Sequence, residues 1–340
     1  MKFLVRLGLI SFGLLAAVAF SLSLFQVRQL LIQGKADTAG VPQHHFSLYL
    51  PDNRDAFFSD VILGAERAAA ESSAVLSIHS IEPFRKELEM ASYTGIDGVV
   101  VCPYLEDQVA RRLLDRLTSR RIPVVLINHN IPNEQPWPFI GTNNFDVGRK
   151  MGTIAGRTGG RTGEEQPGKD PVRLAVVYSE KSPGIYAERE LVEMGISAAL
   201  GDRLSTPILG LKTGQNPLGA EEMLFRLLRT NPLINTIIFT DANDTKAAAQ
   251  VLIDMNLVGR VQLVGFGNDP LIQGFIRKGI VAGSITVAPD RIGYSAIKAL
   301  VDLKTGGYTS TSVDTGVAIL DMDSLDMDSL DEDNPDGESQ

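Results

Sequence analysis

Between residues 44 and 320, short and nearly continuous apolar runs alternate with stretches whose apolar positions recur every three or four residues. The runs fall at residues 46–50, 74–79, 97–102 and 123–127, then at 172–178, 207–211, 236–240, 261–266 and 280–286. Their length and β-branched content predict strands covered on both faces, because a strand with one wet face would alternate apolar with polar side chains. The stretches between them predict helices: Val109, Leu113, Leu114 and Leu117 share one face, and Arg111, Arg112, Asp115 and Arg116 the other. Neighbouring parallel strands need a crossover of helix length, so the repeated order predicts an α/β protein with doubly wound parallel sheets. The pattern breaks at residues 136–144 and again at 158–171, where Gly, Pro and charge accumulate. Two parallel-sheet lobes are therefore expected, with function sought just beyond the C-terminal ends of the strands.

The ends of the chain follow other rules. Lys2 and Arg6 precede an uncharged stretch over residues 7–27, the pattern of a membrane-targeting segment. Residues 1–27 read as a signal peptide or a signal anchor. Ala17 and Ala19 offer a small-x-small cleavage site, but the apolar run continues past it to a length nearer the about 17–25 residues of a span than the about 7–15 of a secretory core. The basic flank places the remaining chain, a monomeric ectodomain, outside the cytoplasm at the membrane surface. Residues 28–43 read as a linker. From Asp321 the sequence Asp-Met-Asp-Ser-Leu occurs twice before a further acidic run, and residues 321–340 are expected to be a disordered acidic tail.

Charge and composition remove several classes of function. Lys and Arg number 32 against 41 Asp and Glu, and the net charge of -9 repels a phosphate backbone, so nucleic acid is not an expected partner. Cys102 is the single cysteine, which excludes an intramolecular disulfide and a thiolate zinc cluster. His44, His45, His79 and His129 have no metal-ligand spacing on a helix, and no nucleophile elbow occurs. Gly163 to Lys169 imitates a phosphate loop, but Asp170 stands where Ser or Thr would hold magnesium and a strand follows where a helix should. No enzyme activity, cofactor or metal is expected.

Six motifs in order carry a resemblance. They are Asp52-Asn-Arg-Asp-Ala-Phe57-Phe58, Gly95-Ile-Asp-Gly-Val-Val-Val, Arg121-Ile-Pro-Val-Val, Ile140-Gly-Thr-Asn-Asn, Val264-Gly-Phe and Ala288-Pro-Asp-Arg-Ile-Gly293. Together the chain resembles the type I periplasmic binding proteins of the ribose and galactose group, whose core is shared with lactose-type repressors. The resemblance implies two lobes joined by three crossings, near Asn143, Val287 and Gly316, that close like a hinge on a small ligand. The lobes would be 44–142 plus 288–315 and 143–287 plus 316–320.

The resemblance also implies ligand-binding positions. Phe57 and Phe58 would supply an aromatic face with Asp55 beside them, one of the two Phe packing at the helix start instead. Asn128 and His129 follow the fourth strand, and Asn143 lies at the first crossing. Arg189 and Glu190 compete for one position in the second lobe. Asp241 would accept ligand hydrogen bonds or cap the following helix. Where the family has an aspartate after Gly-Phe this chain has Gly267, with Asn268 and Asp269 displaced along the loop, and Val287 replaces a glutamine. The implied function is an extracytoplasmic solute-binding protein that takes a sugar-like small molecule to a permease of an ABC-type importer, or an anchored sensor that reports occupancy to a histidine kinase. Pentose or hexose specificity does not carry over, because the hydroxyl-reading side chains differ.

Overall fold

The computed structural model describes residue 23 and residues 43–51, 56–81, 86–158, 171–180, 185–186, 188–214 and 219–332. The targeting segment apart from Ser23, the linker up to residue 42, Asp55, the Gly163 to Lys169 stretch and the residues after Glu332 lie outside the described residues. In chain order the elements are β1 (His44–Pro51), α1 (Ala56–Glu71), β2 (Ala74–Ile81), α2 (Glu87–Ala91), β3 (Gly98–Val101), α3 (Asp107–Ser119), β4 (Val124–Ile127) and β5 (Phe139–Gly141). There follow α4 (Asn144–Thr158), β6 (Leu174–Ser179), α5 (Arg189–Leu200), β7 (Leu209–Thr213), α6 (Gly219–Thr230), β8 (Thr236–Phe239), α7 (Ala242–Asp254), β9 (Gln262–Phe266), α8 (Pro270–Arg277) and β10 (Gly283–Val287). The last are α9 (Pro289–Thr305), β11 (Ser312–Asp314), β12 (Val317–Leu320) and α10 (Met322–Glu332).

These strands form two six-stranded sheets, ordered β11-β5-β4-β3-β1-β2 and β12-β10-β9-β8-β6-β7. The first is parallel throughout, and in the second only β12 runs antiparallel, to β10. All nine apolar runs are strands. Val99, Val100 and Val101 are fully buried, and so are Val176, Val177, Ile237 and Ile238, because each sheet has helices on both faces. Each such side chain contributes about 1.5–3 kcal/mol relative to an exposed position. One face of the first sheet packs on α1 and α9 and the other on α3; in the second, α4 and α5 cover one face and α6, α7 and α8 the other.

Each lobe has one helix pair drawn together by glycine. A Cβ on Gly64 of α1 would lie 1.9 Å from the Asp290 carbonyl oxygen of α9, and one on Gly293 would lie 1.9 Å from that of Val61. The second lobe repeats the device: a Cβ on Gly148 of α4 would stand 2.0 Å from the Val192 oxygen, and one on Gly195 of α5 would stand 2.1 Å from that of Phe145.

The chain passes between the sheets three times, after β5, after β10 and between β11 and β12. Thr315 ties the third passage to the first, its N–H and hydroxyl both donating to the Gly141 carbonyl at 2.8 and 3.1 Å.

The expectation of disorder from Asp321 is corrected over residues 322–332 by α10, while the residues after Glu332 lie outside the described residues. Asp321 and Ser324 cap that helix reciprocally, the Ser324 N–H donating to Asp321 Oδ1 at 3.1 Å and the Asp321 N–H to Ser324 Oγ at 2.8 Å. Leu325 is 3% exposed within the second lobe's core, and Arg157 pairs with Asp321 at 2.6 Å. Caps and one buried leucine offset the repulsion of the acidic repeat.

Candidate functional site

Parallel strands of both sheets point their C-terminal ends at the gap between the lobes, and a cavity of about 650 Å³ lies there. This is within the range of about 300–1,000 Å³ usual for small-molecule sites. The first lobe lines it with Ala56, Phe57, Phe58 and Asp60 of α1, Asn128, Thr142 and the start of α9 from Ala288 to Asp290, with Ile292. The second lobe lines it with Ile185, with Asp241, Ala242, Asn243 and Lys246 at the start of α7, with residues 266–270 ahead of α8, and with Thr286 and Val287. A direct bond joins the lobes nearby: the Tyr104 hydroxyl donates to the Glu180 carbonyl at 2.9 Å.

Helix starts set the polar groups of the second lobe. Asp241 is the N-cap of α7, its Oδ1 accepting from the Asn243 and Asp244 N–H groups, both at 3.0 Å. It is 5% exposed, so the carboxylate is fixed by the fold while it lines the cavity. It therefore caps the helix and stands at the cavity at once. Asp269 caps α8 through the Leu271 N–H at 2.8 Å and also accepts from Lys246 Nζ at 2.9 Å. The hydrogen bond from Lys246 holds the Asp269 carboxyl below the usual carboxylate range, with the Leu271 N–H adding to the effect and partial burial opposing it.

The first lobe supplies rings. Phe58 is 4% exposed and belongs to the core, whereas Phe57 is half-buried and meets it edge to face at 5.1 Å between centroids. Both rings line the cavity, Phe58 from the core and Phe57 packed against it. In the core behind this wall, burial pushes the Cys102 thiol up to about 12, opposed by a hydrogen bond with Asn128, and the cysteine lies outside the lining.

Of the expected ligand positions, the structure gathers Phe57, Phe58, Asn128, Asp241 and Asn268 around one cavity. Asp55 lies outside the described residues. His129 is not among the lining residues: it is 6% exposed and its Nε2 meets Asp107 Oδ1 of α3 at 3.1 Å. Asn143 caps α4, accepting from the Phe145 N–H at 3.0 Å, and is also absent from the lining. Neither Arg189 nor Glu190 reaches the cavity. Both are exposed at the start of α5, with Arg189 over the Tyr186 ring at 5.5 Å and bonded to its hydroxyl at 3.2 Å.

The sequence reading missed Lys246, Asp60, Phe266 and Ile185, and left Asp290 inside a motif without a role. Asp60 had a usable signal, since it lies three residues after Phe57 on the same face of α1. Lys246 had none. It enters the site only because the starts of α7 and α8 stand side by side. Among the described residues, no group of three or more His, Cys, Asp or Glu could hold a metal ion.

Two doubly wound lobes with a ligand-sized cavity at the strand ends define a hinged α/β protein of the small-molecule-binding class. The family model for the periplasmic binding protein domain matches residues 46–307, and the chain belongs to that family.

Similar solved structures agree on the fold. A glucose-galactose binding protein, GanP, from Geobacillus stearothermophilus superposes with a TM-score of 0.70 at 20% identity, covering 83% of this chain and 98% of that one. A Caulobacter myo-inositol binding protein bound to myo-inositol gives 0.71 at 18%, covering 84% and 95%. A carbohydrate transporter solute binding protein from Agrobacterium radiobacter in complex with D-arabinose gives 0.70 at 16%, covering 85% and 98%. No curated protein sequence matches the chain.

Proposed function

We infer that the protein is an extracytoplasmic solute-binding protein that encloses a small, sugar-like ligand between its lobes, does no chemistry on it, and presents it to a permease of an ABC-type importer. The observation that carries this reading is the cavity itself, lined from both lobes by a ring on one side and capped polar side chains on the other. A polyol needs both, because it has apolar C–H faces and a rim of hydroxyls. The similar structures whose descriptions name D-arabinose and myo-inositol support a polyhydroxylated ligand.

The test is calorimetry on the full chain with Phe57→Ala and Asp241→Ala, using whichever of the pentoses, hexoses and polyols binds, with small-angle scattering to follow lobe closure. Loss of about tenfold or more in affinity is expected for each variant. Unchanged affinity in both would place the ligand elsewhere and sink the assignment.

A second reading rests on the uncharged stretch at residues 7–27, which continues past the Ala17 and Ala19 pair. If it stays attached, tethering raises the effective concentration at one membrane partner and suits a sensor that reports occupancy to a histidine kinase. N-terminal sequencing of the protein recovered from cells decides. A new start near Phe20 supports the importer, and an intact Met1 in the membrane fraction supports the sensor.

A further inference from the structure

Among the described residues, the charged side chains around the cavity are unevenly signed. Of these, four carboxylates line it, Asp60 and Asp290 from the first lobe and Asp241 and Asp269 from the second, against one ammonium, that of Lys246. Lys246 is already engaged, its Nζ standing 2.9 Å from Asp269 Oδ2. Arg67 approaches Asp290 from outside the lining at 3.5 Å, but both side chains are about half exposed, and a pair so placed is largely screened by water.

Closure sharpens this imbalance. As the lobes come together they expel water and bring carboxylates of opposite walls nearer in a medium of lower dielectric, where like charges repel more strongly. A positive charge in the cavity relieves that repulsion and so favours the closed state. A neutral ligand leaves it in place, and an anion adds to it. The first lobe also provides a second element of ammonium recognition, since Phe57 and Asp60 are one turn apart on the same face of α1 and both line the cavity. A ring face beside a carboxylate attracts a cation through the ring quadrupole as well as through the ion pair.

Resting on the solute-binding reading above, the geometry points to a positively charged ligand, an amine-bearing polyhydroxylated solute of the amino-sugar class. Its ammonium lies by Phe57, Asp60 and Asp290, and its hydroxyls meet the capped polar groups at the starts of α7 and α8.

Titration calorimetry of the full chain tests this with matched sets, glucose, glucosamine and glucuronate and then the galactose equivalents, below the pH at which the amines lose their proton and at low and high salt. The amine form is expected to bind about tenfold or more tighter than the neutral form, the uronate to give no binding, and the difference to shrink as salt rises. Asp60→Asn, an exchange at an exposed helix position, should bring the ratio of amine to neutral affinity towards one. Neutral sugar binding as tightly as its amine, or the uronate binding best, would overturn the charge inference and leave the solute-binding reading intact. Silence from every form would contradict the solute-binding reading and remove this inference with it.

Discussion

The two walls of the cleft are built by different means. The wall on the first lobe combines the Phe57 and Phe58 rings and small apolar groups with the Asp60 and Asp290 carboxylates, at the starts of α1 and α9, which two glycines let touch. The second wall is a set of helix caps, in which Asp241 and Asp269 satisfy backbone N–H groups and face the cavity at the same time. The difference teaches where specificity and stability are coupled. On the ring side, both rings line the cavity, with Phe58 buried in the core and Phe57 only half-buried, so packing falls mostly on Phe58. On the capped side a single carboxylate both caps a helix and lines the cavity, so truncating it touches both.

The largest expected effect comes from breaking the ring wall at its base. Phe58→Ala removes a side chain that is 4% exposed in the core, and chemical denaturation should show a loss of about 3–5 kcal/mol. Phe57→Ala should cost far less stability and more affinity, and similar stability losses in the two would erase the division of labour.

Next come the glycine contacts. Gly293→Ala and Gly148→Ala each place a Cβ about 2 Å from a backbone oxygen of the facing helix, so each should cost about 1–3 kcal/mol. Because each acts within one lobe, denaturation followed by a probe in each lobe should show which one opens first. Only Gly293→Ala should also move Asp290 and with it the rim of the cavity.

Asp241→Ala should destabilise by about 1 kcal/mol through the lost cap and weaken binding in the same variant. Asp241→Asn, which keeps a capping oxygen, should restore most of the stability but not the charge, and thermal melts of the two variants separate the roles.

The smallest effect is electrostatic. Asp269 titrates below its ordinary range in the folded protein, so its contribution is present above the ordinary carboxyl range and is lost as the pH falls through the lowered value. The side chains of Lys246 and Asp269 are 26% and 32% exposed, and solvent screening keeps that contribution below about 1 kcal/mol. In Lys246→Met, a carboxyl titration followed by NMR should show Asp269 moving back up.

Much of the fold could be read along the chain because parallel strands buried on both faces leave long β-branched runs. β5 and β11 could not, since three residues such as Ser312 to Asp314 on an exposed sheet edge carry almost no pattern. The acidic helix α10 was hidden for another reason: its charge density argues for disorder, and only the docking of Leu325 into the second lobe shows what holds it. At the site, Phe57, Phe58 and Asp241 were legible through the resemblance, which carries over positions at the starts of helices that follow strands. Arg189 and Glu190 stand outside the lining, and the resemblance that named them does not say which face of α5 meets the cleft. Lys246 was illegible because its partner, Asp269, is brought to it by tertiary structure alone.

The central claim is that the cavity between the lobes is where a solute binds. The most direct measurement is the melting temperature of the full chain and of Phe57→Ala against pentoses, hexoses and their amino forms, polyols, nucleosides and small amides, since a ligand that binds only the folded state raises it by mass action. A clear rise with one class of compound, reduced in Phe57→Ala, is the predicted result. No rise across the panel, or a rise that Phe57→Ala leaves untouched, would contradict the account.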